Sequence, residues 1–325
     1  MRALVCKEYG TPDKLVVEEI DDPVPGDGQI LVAVKAAGIN FGDVLTVAGE
    51  YQVKPATPFV PGIEAAGVVE ALGPGVDDFS VGDSVMVTTS LGAFAEKCVV
   101  DQATVTPVLP GLDFAQAAGF NITYCTTIHA FRQGTRLEAG ETLLVLGAAG
   151  GVGIAAVEMG KALGARVIAA ASSDEKLEFA RAAGADELIN YTETPLRDAI
   201  KALTGGKGID VVYDPVGGEL AELAMRSLAW RGRHLIIGFA TGDFPTFPAN
   251  IALLKESRII GGYWGGWARR ERDLQAENLA ELAAMIRDRK LSPEVTEQHA
   301  LEDFANAFDA ITHRRAMGKV VLTME

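Results

Sequence analysis

The pattern of apolar and polar positions changes rhythm once along the chain. From residue 1 to about 120, short apolar runs at 30–34, 66–69, 84–87 and 97–100 alternate with the breaks PGDG, GPGVDD and VGD. Short β-favouring runs between Gly, Pro and Asp clusters predict a compact, mostly β unit, barrel-like rather than parallel. From about 121 onward, apolar runs alternate with helical periodicity. The predicted strands are 143–146, 166–170, 187–189, 210–213, 234–238 and 258–261. Six strands joined by helical crossovers make a doubly wound parallel sheet, so the fold class is α/β. A polar helix near 271–289, a short helix near 302–312 and a final strand at 319–322 form a tail expected to return to the first unit. The expected domains are therefore 1–120 with 265–325, and 121–264.

Residues 143–174 carry the clearest chemistry. The run 143–146 is continuously apolar, as in a strand buried on both faces, and a small-residue turn follows it at 147–153. Val152, Ala155, Ala156, Met159 and Leu163 then fall on one helical face. Such a turn lets backbone N–H groups at a helix N-terminus approach a pyrophosphate. The G-x-G-x-x-G pattern is imperfect, with Ala148 at the first glycine position, followed by Gly150 and Gly153. The flanking strand and helix supply the context the motif requires.

The next strand ends in Ala171, Ser172 and Ser173, with no carboxylate at its tip. An NAD site normally places Asp or Glu there to bind the ribose 2′-hydroxyl. Small hydroxyls and Lys176 one turn later favour NADP(H) instead. Ser173 also suits the N-cap of the following helix, a role compatible with phosphate binding.

Composition narrows the class. The chain has 325 residues, 48% hydrophobic and 22% charged, ordinary values for a globular enzyme of two domains. No apolar run approaches the ~20 residues of a membrane helix. Residues 1–7 read as a strand, so no signal segment is expected. Three scattered cysteines, Cys6, Cys98 and Cys125, suit a reduced cytoplasm. A net charge of −15 argues against nucleic acid or an anionic membrane as partner. An anionic cofactor must then be held by a local basic pocket.

Taken together, AAGINFGDVL (36–45), PGIEAAGVVEALGPGV (61–76), AAGGVG (148–153), ASSDEK (171–176), INY (189–191), VVYDPVGG (211–218) and RAMGKVVL (315–322) resemble one superfamily. It is the medium-chain dehydrogenases/reductases, and within it the zinc-independent, zeta-crystallin-like quinone oxidoreductases. The resemblance implies a GroES-like, mostly β catalytic domain beside the Rossmann domain, and hydride transfer from NADPH to a quinone. Zinc alcohol dehydrogenases of the superfamily bind catalytic zinc through a Cys near position 40 and a His in a G-H-E motif. Here Asn40 and Ile63 stand there, and an isoleucine cannot ligate zinc. The structural four-cysteine lobe is absent as well. No metal is expected, and without a Lewis acid the acceptor must already be polarised for reduction, as a quinone or enone is.

The resemblance also assigns residues. Gly150, Gly151, Val152 and Gly153 would hold the pyrophosphate. Ser172, Ser173, Lys176, Tyr191 and Arg314 would receive the 2′-phosphate. Gly238, Phe239, Ala240, Tyr263 and Trp264 would pass along the cofactor, and Thr126 would face it. Asn40, Phe41 and Asp43 would line the nicotinamide side, with Tyr51 a candidate donor to an acceptor carbonyl. Each has a plainer reading beside it. Asn40 and Asp43 suit helix caps, Tyr51 a packed loop aromatic, and Glu64 a buried ion pair. His129 suits a core histidine. The aromatic cluster at 263–267 fits core, acceptor pocket or subunit contact equally.

An apolar edge strand at 258–261 further suggests a homodimer. Two other functions fit the sequence. One is a 2-enoyl thioester or alkenal reductase, which needs a proton donor such as Tyr51, Cys125 or His129. The other is a cofactor-binding protein with little turnover.

Overall fold

A computed structural model of the chain describes residues 1–324. Seven strands precede the switch in rhythm: β1 (Arg2–Val5), β2 (Val16–Glu19), β3 (Gln29–Ile39), β4 (Glu64–Leu72), β5 (Ser84–Thr88), β6 (Lys97–Asp101) and β7 (Val105–Pro107). Six follow: β8 (Thr142–Leu146), β9 (Arg166–Ala171), β10 (Glu187–Asn190), β11 (Ile209–Asp214), β12 (Leu228–Ile236) and β13 (Arg258–Gly261). β14 (Val295–Ala300) and β15 (Lys319–Thr323) close the chain.

The first compact unit comprises Met1–Ile122 and Pro293–Glu325. β1 and β2 form an antiparallel pair. The larger sheet runs β14-β15-β3-β4-β5-β7, with β6 also on β3. The long β3 is its spine, and its inward residues Ile30, Val32 and Val34 join Phe94, Phe308 and Leu322 in one core. Phe94 and Phe308 meet edge to face at 6.0 Å.

The second unit is Thr123–Ser292. Its sheet is wholly parallel, in the order β10-β9-β8-β11-β12-β13. The direction of strand addition reverses between β8 and β11. In open α/β sheets, ligands bind at the carboxyl ends of strands beside such a switch. Leu144, Leu146, Ile168, Ala170 and Val212 form part of its core.

The return to the first unit falls at Pro293, not at 265 as expected. Helix Arg272–Arg287 belongs to the second unit because Asn278, Leu282 and Met285 are buried along it. Arg132 grips the Glu281 carboxylate, its Nε 3.1 Å from each oxygen, and Gln133 exchanges amide bonds with Asn278 at 3.0 and 3.2 Å. One of these three buried residues is polar, and the helix's other apolar residues, among them Leu274, Leu279 and Ile286, are partly or wholly exposed, so the periodicity is too weak to reveal that docking. No described helix is long and apolar enough to cross a membrane.

Candidate active site

The phosphate turn begins where β8 ends. Gly147 adopts a left-handed φ of 58°, and its carbonyl accepts a bond from Gly150 N at 3.0 Å. The residue that needs glycine's freedom is thus Gly147, while Ala148 is fully buried beneath the turn. This explains why an alanine is tolerated at the first motif position. Gly150 caps helix Gly151–Ala162. The amides of Gly151, Val152 and Gly153 form its first turn, where N–H groups lack intrahelical acceptors. A Cβ at Gly153 would lie 2.2 Å from the Gly147 carbonyl oxygen, so only glycine lets the helix sit this close to the turn. The cradle fits a dinucleotide pyrophosphate.

At the tip of β9, Lys176 Nζ lies 3.5 Å from Ser172 Oγ, and Ser173 Oγ caps the next helix by accepting from Lys176 N at 3.4 Å. Tyr191 N donates to the Ala171 carbonyl at 3.2 Å, which brings Tyr191 beside the same tip. The nearby Asp174 carboxylate accepts from the Asn190 amide at 2.9 Å. Two hydroxyls and an ammonium thus gather where an NAD site would hold a carboxylate.

At the ends of β11 and β12 the backbone is cross-linked. Gly238 N reaches the Asp214 carbonyl at 3.3 Å, and Ala240 N the Pro215 carbonyl at 3.0 Å. Gly238, Phe239 and Ala240 therefore lie at the same carboxyl edge as the phosphate turn. After β13 the aromatics diverge. Tyr263 is 64% exposed, whereas Trp264 is buried and donates its indole N–H to Gln275 at 2.9 Å. Trp267 stacks on His129, with ring centroids 4.2 Å apart. Burial pushes the His129 pKa down, which suits a core histidine. Thr126 is buried, and the adjacent Thr127 shares a 3.0 Å hydrogen bond with Tyr213 OH.

In the first unit, β3 runs into helix Phe41–Ala48, capped by Asn40. Asn40 N donates to Asp43 Oδ2 at 2.8 Å. The Asn40 amide donates to Glu64 Oε1 at 2.9 Å and accepts from Lys319 Nζ at 2.6 Å. Lys319 Nζ also lies 2.5 Å from Glu64 Oε1, and both side chains are buried. Glu64 Oε2 accepts from Ile122 N at 3.0 Å. Asn40 therefore both caps the helix and joins a buried ion-pair network. The Tyr51 ring lies along Gly42 of that helix, where a Cβ would meet it at 3.5 Å. Phe41 is half-buried, and Arg314 sits in the exposed turn after helix Phe304–Thr312 with φ 55°.

Asp43 is 1% exposed and its Oδ1 has no partner. Burial lifts its pKa from 3.8 to about 7, against the Asn40 N–H bond and the Lys319 charge. Folding therefore favours the protonated acid, so this group's contribution to stability falls as pH rises from 4 to 7 and is flat above. The loss is on the order of 4 kcal/mol at about 1.4 kcal/mol per unit. Asp43→Asn should remove it. Urea unfolding at pH 5 and pH 8 checks this: the wild type should weaken more than the variant between the two. Equal pH dependence would refute the buried acid.

Sequence reading missed Lys319 as a site residue. It lies 255 positions from Glu64, and no local pattern distinguishes it from a strand-edge lysine.

Two family models match the chain. Residues 26–130 match the alcohol dehydrogenase GroES-like domain, and residues 151–282 the family described as zinc-binding dehydrogenase. The quinone oxidoreductase-like protein 2 homolog of Nematostella vectensis is 38% identical over 99% of this chain and 88% of its own. The human quinone oxidoreductase is 33% identical over 100% of this chain and 98% of its own. Among solved structures, the Escherichia coli quinone oxidoreductase complexed with NADPH superposes with a TM-score of 0.94, at 29% identity and 100% coverage of both chains. The Thermus thermophilus quinone oxidoreductase superposes at 0.87, with 32% identity and the same coverage. A GroES-like unit, a Rossmann-type sheet and relatives this similar over most of their length leave one placement: the chain is an oxidoreductase that belongs to the quinone oxidoreductase branch of the medium-chain dehydrogenase/reductase superfamily.

Proposed function

We propose that the chain is a cytoplasmic, NADPH-dependent, zinc-independent quinone oxidoreductase. The observation that carries the cofactor choice is the tip of β9, where Ser172, Ser173 and Lys176 gather and the Asp174 carboxylate is engaged by the Asn190 amide. These groups, with Tyr191, bind the 2′-phosphate, and the turn 150–153 binds the pyrophosphate. Tyr263, Trp264 and Thr126 flank the cofactor further along. When bound, the nicotinamide supplies the hydride. The protein's part is to orient it and to present the acceptor, with Tyr51 donating to the acceptor's carbonyl oxygen.

The zinc-free reading rests on the donor set. Ile63 offers no ligand, and Asn40 and Glu64 already bind the Lys319 ammonium. A cation fixed on those two side chains disfavours a metal there.

Lys176→Ala should raise the NADPH Kd about tenfold or more, the scale of one lost charge-assisted contact, and leave NADH binding unchanged. Titration of both nucleotides checks this; an equal loss for each would reject the phosphate role.

The quaternary proposal is a homodimer through β13. This strand is the outer edge of its sheet, and Ile259, Trp230, Leu253 and Leu254 are exposed. An unpaired edge with apolar side chains suits pairing with its twin. A sedimentation mass of one 34.3 kDa chain at micromolar concentration would reject it.

A further inference from the structure

The turn after β11, residues 214–218, carries a buried dyad that no step above uses. Asp214 and His234 are 1% and 0% exposed. Asp214 Oδ1 accepts from the amides of Val216 and Gly217, both at 2.9 Å. Its Oδ2 lies 2.9 Å from His234 Nε2. His234 Nδ1 is buried with no partner. Nε2 therefore carries a proton and donates it to Asp214, because a carboxylate oxygen can only accept. Phe247 holds the ring edge to face at 4.9 Å.

The carboxylate so fixed shapes a shelf. Gly217 and Gly218 take φ of 75° and 56°, in the left-handed region that favours glycine. Gly218 N bonds the Asp243 carbonyl at 3.1 Å, and Thr241 N the Val216 carbonyl at 3.0 Å, zipping the turn to the loop after β12. Val216 packs against Gly147, where a Cβ would meet its Cγ2 at 2.9 Å. The shelf thus abuts the phosphate turn at the β8/β11 switch, where the strand order reverses.

We propose that His234 is a positioning residue: it locks Asp214, and through it the 214–218 shelf, in the shape that receives the nicotinamide half of the cofactor. This rests on the NADPH reading above. Remove the imidazole and a buried carboxylate oxygen loses its only side-chain donor. Asp214 must then turn toward another partner, releasing the Val216 and Gly217 amides.

Glutamine and asparagine separate the nitrogens. Glutamine places its amide nitrogen near the Nε2 position, and asparagine near Nδ1. His234→Gln should keep the NADPH Kd within about threefold, and His234→Asn and His234→Leu should raise it at least about tenfold, the scale of one charge-assisted hydrogen bond. Adenosine 2′,5′-bisphosphate, which carries the 2′-phosphate and the adenosine-side phosphate but no nicotinamide half, should bind all four proteins alike. A general loss of structure would weaken both ligands together, so the split identifies positioning. If the leucine variant does not fold, the Gln/Asn pair decides. Equal NADPH affinity across the series overturns the role of His234, as does parallel loss of the bisphosphate. Failure of the wild type to bind NADPH overturns the cofactor reading and this proposal with it. Independently of any ligand, ¹⁵N NMR of the four histidines, assigned by the spectrum of His234→Gln, should show His234 protonated on Nε2. An Nε2 without a proton would overturn the dyad.

Discussion

Lys319→Met should lower the unfolding free energy by about 3–5 kcal/mol, the usual consequence of leaving one member of a buried ion pair alone. Glu64 is 1% exposed, and Lys319 Nζ at 2.5 Å is its one cationic partner. Without the ammonium, Oε1 keeps only the Asn40 amide, and Oε2 only the Ile122 N–H. The Asn40 carbonyl oxygen also loses its donor. The double variant Glu64→Gln with Lys319→Met should recover most of the loss, because the neutral amide still accepts from Ile122 N and no charge is stranded. Urea denaturation of the single and double variants measures this. A single variant as stable as the wild type would mean that the pair is solvated rather than buried.

Gly153→Ala should abolish useful nucleotide binding, with the NADPH Kd rising about a hundredfold or more as the turn loses its shape. The added Cβ would sit 2.2 Å from the Gly147 oxygen and 3.0 Å from the Ala148 carbonyl carbon, both backbone atoms that cannot swing aside. Either the helix retreats from β8 or the turn opens, and both misplace the amides that face the pyrophosphate. Overpacking of this kind also costs roughly 1–3 kcal/mol of stability. Gly150→Ala is the contrast. Its Cβ meets its nearest neighbour at 3.5 Å and its φ is −75°, so folding should be unaffected. Calorimetry and nucleotide titration of both variants test the pair. Gly153→Ala binding NADPH like the wild type would refute the cradle.

The six-stranded sheet is legible in sequence because helices cover both its faces. After Thr142 and Arg166, β8 and β9 therefore read as unbroken apolar runs, LLVL and VIAAA. β12 is less legible. It begins at Leu228 rather than near 234, through the exposed Trp230 and Arg231 and past a register shift, so polarity hides its first half. The phosphate turn is legible because its chemistry is local: a strand, small residues, then a helix. Lys319–Glu64 and His234–Asp214 are not, because each pair is joined only by tertiary folding across 255 and 20 positions. The tail boundary fails for a related reason. Helix Arg272–Arg287 docks through Leu282 and Met285 but also through Asn278 and the Arg132–Glu281 pair, polar contacts that carry no hydrophobic periodicity.

The most direct test of the central claim is NADPH oxidation by the purified, chelator-treated protein, with an ortho-quinone and an enoyl thioester in parallel and NADH as control. Faster quinone turnover that survives the chelator and prefers NADPH is the predicted result. Turnover confined to the enoyl thioester, or lost with the chelator, would contradict it.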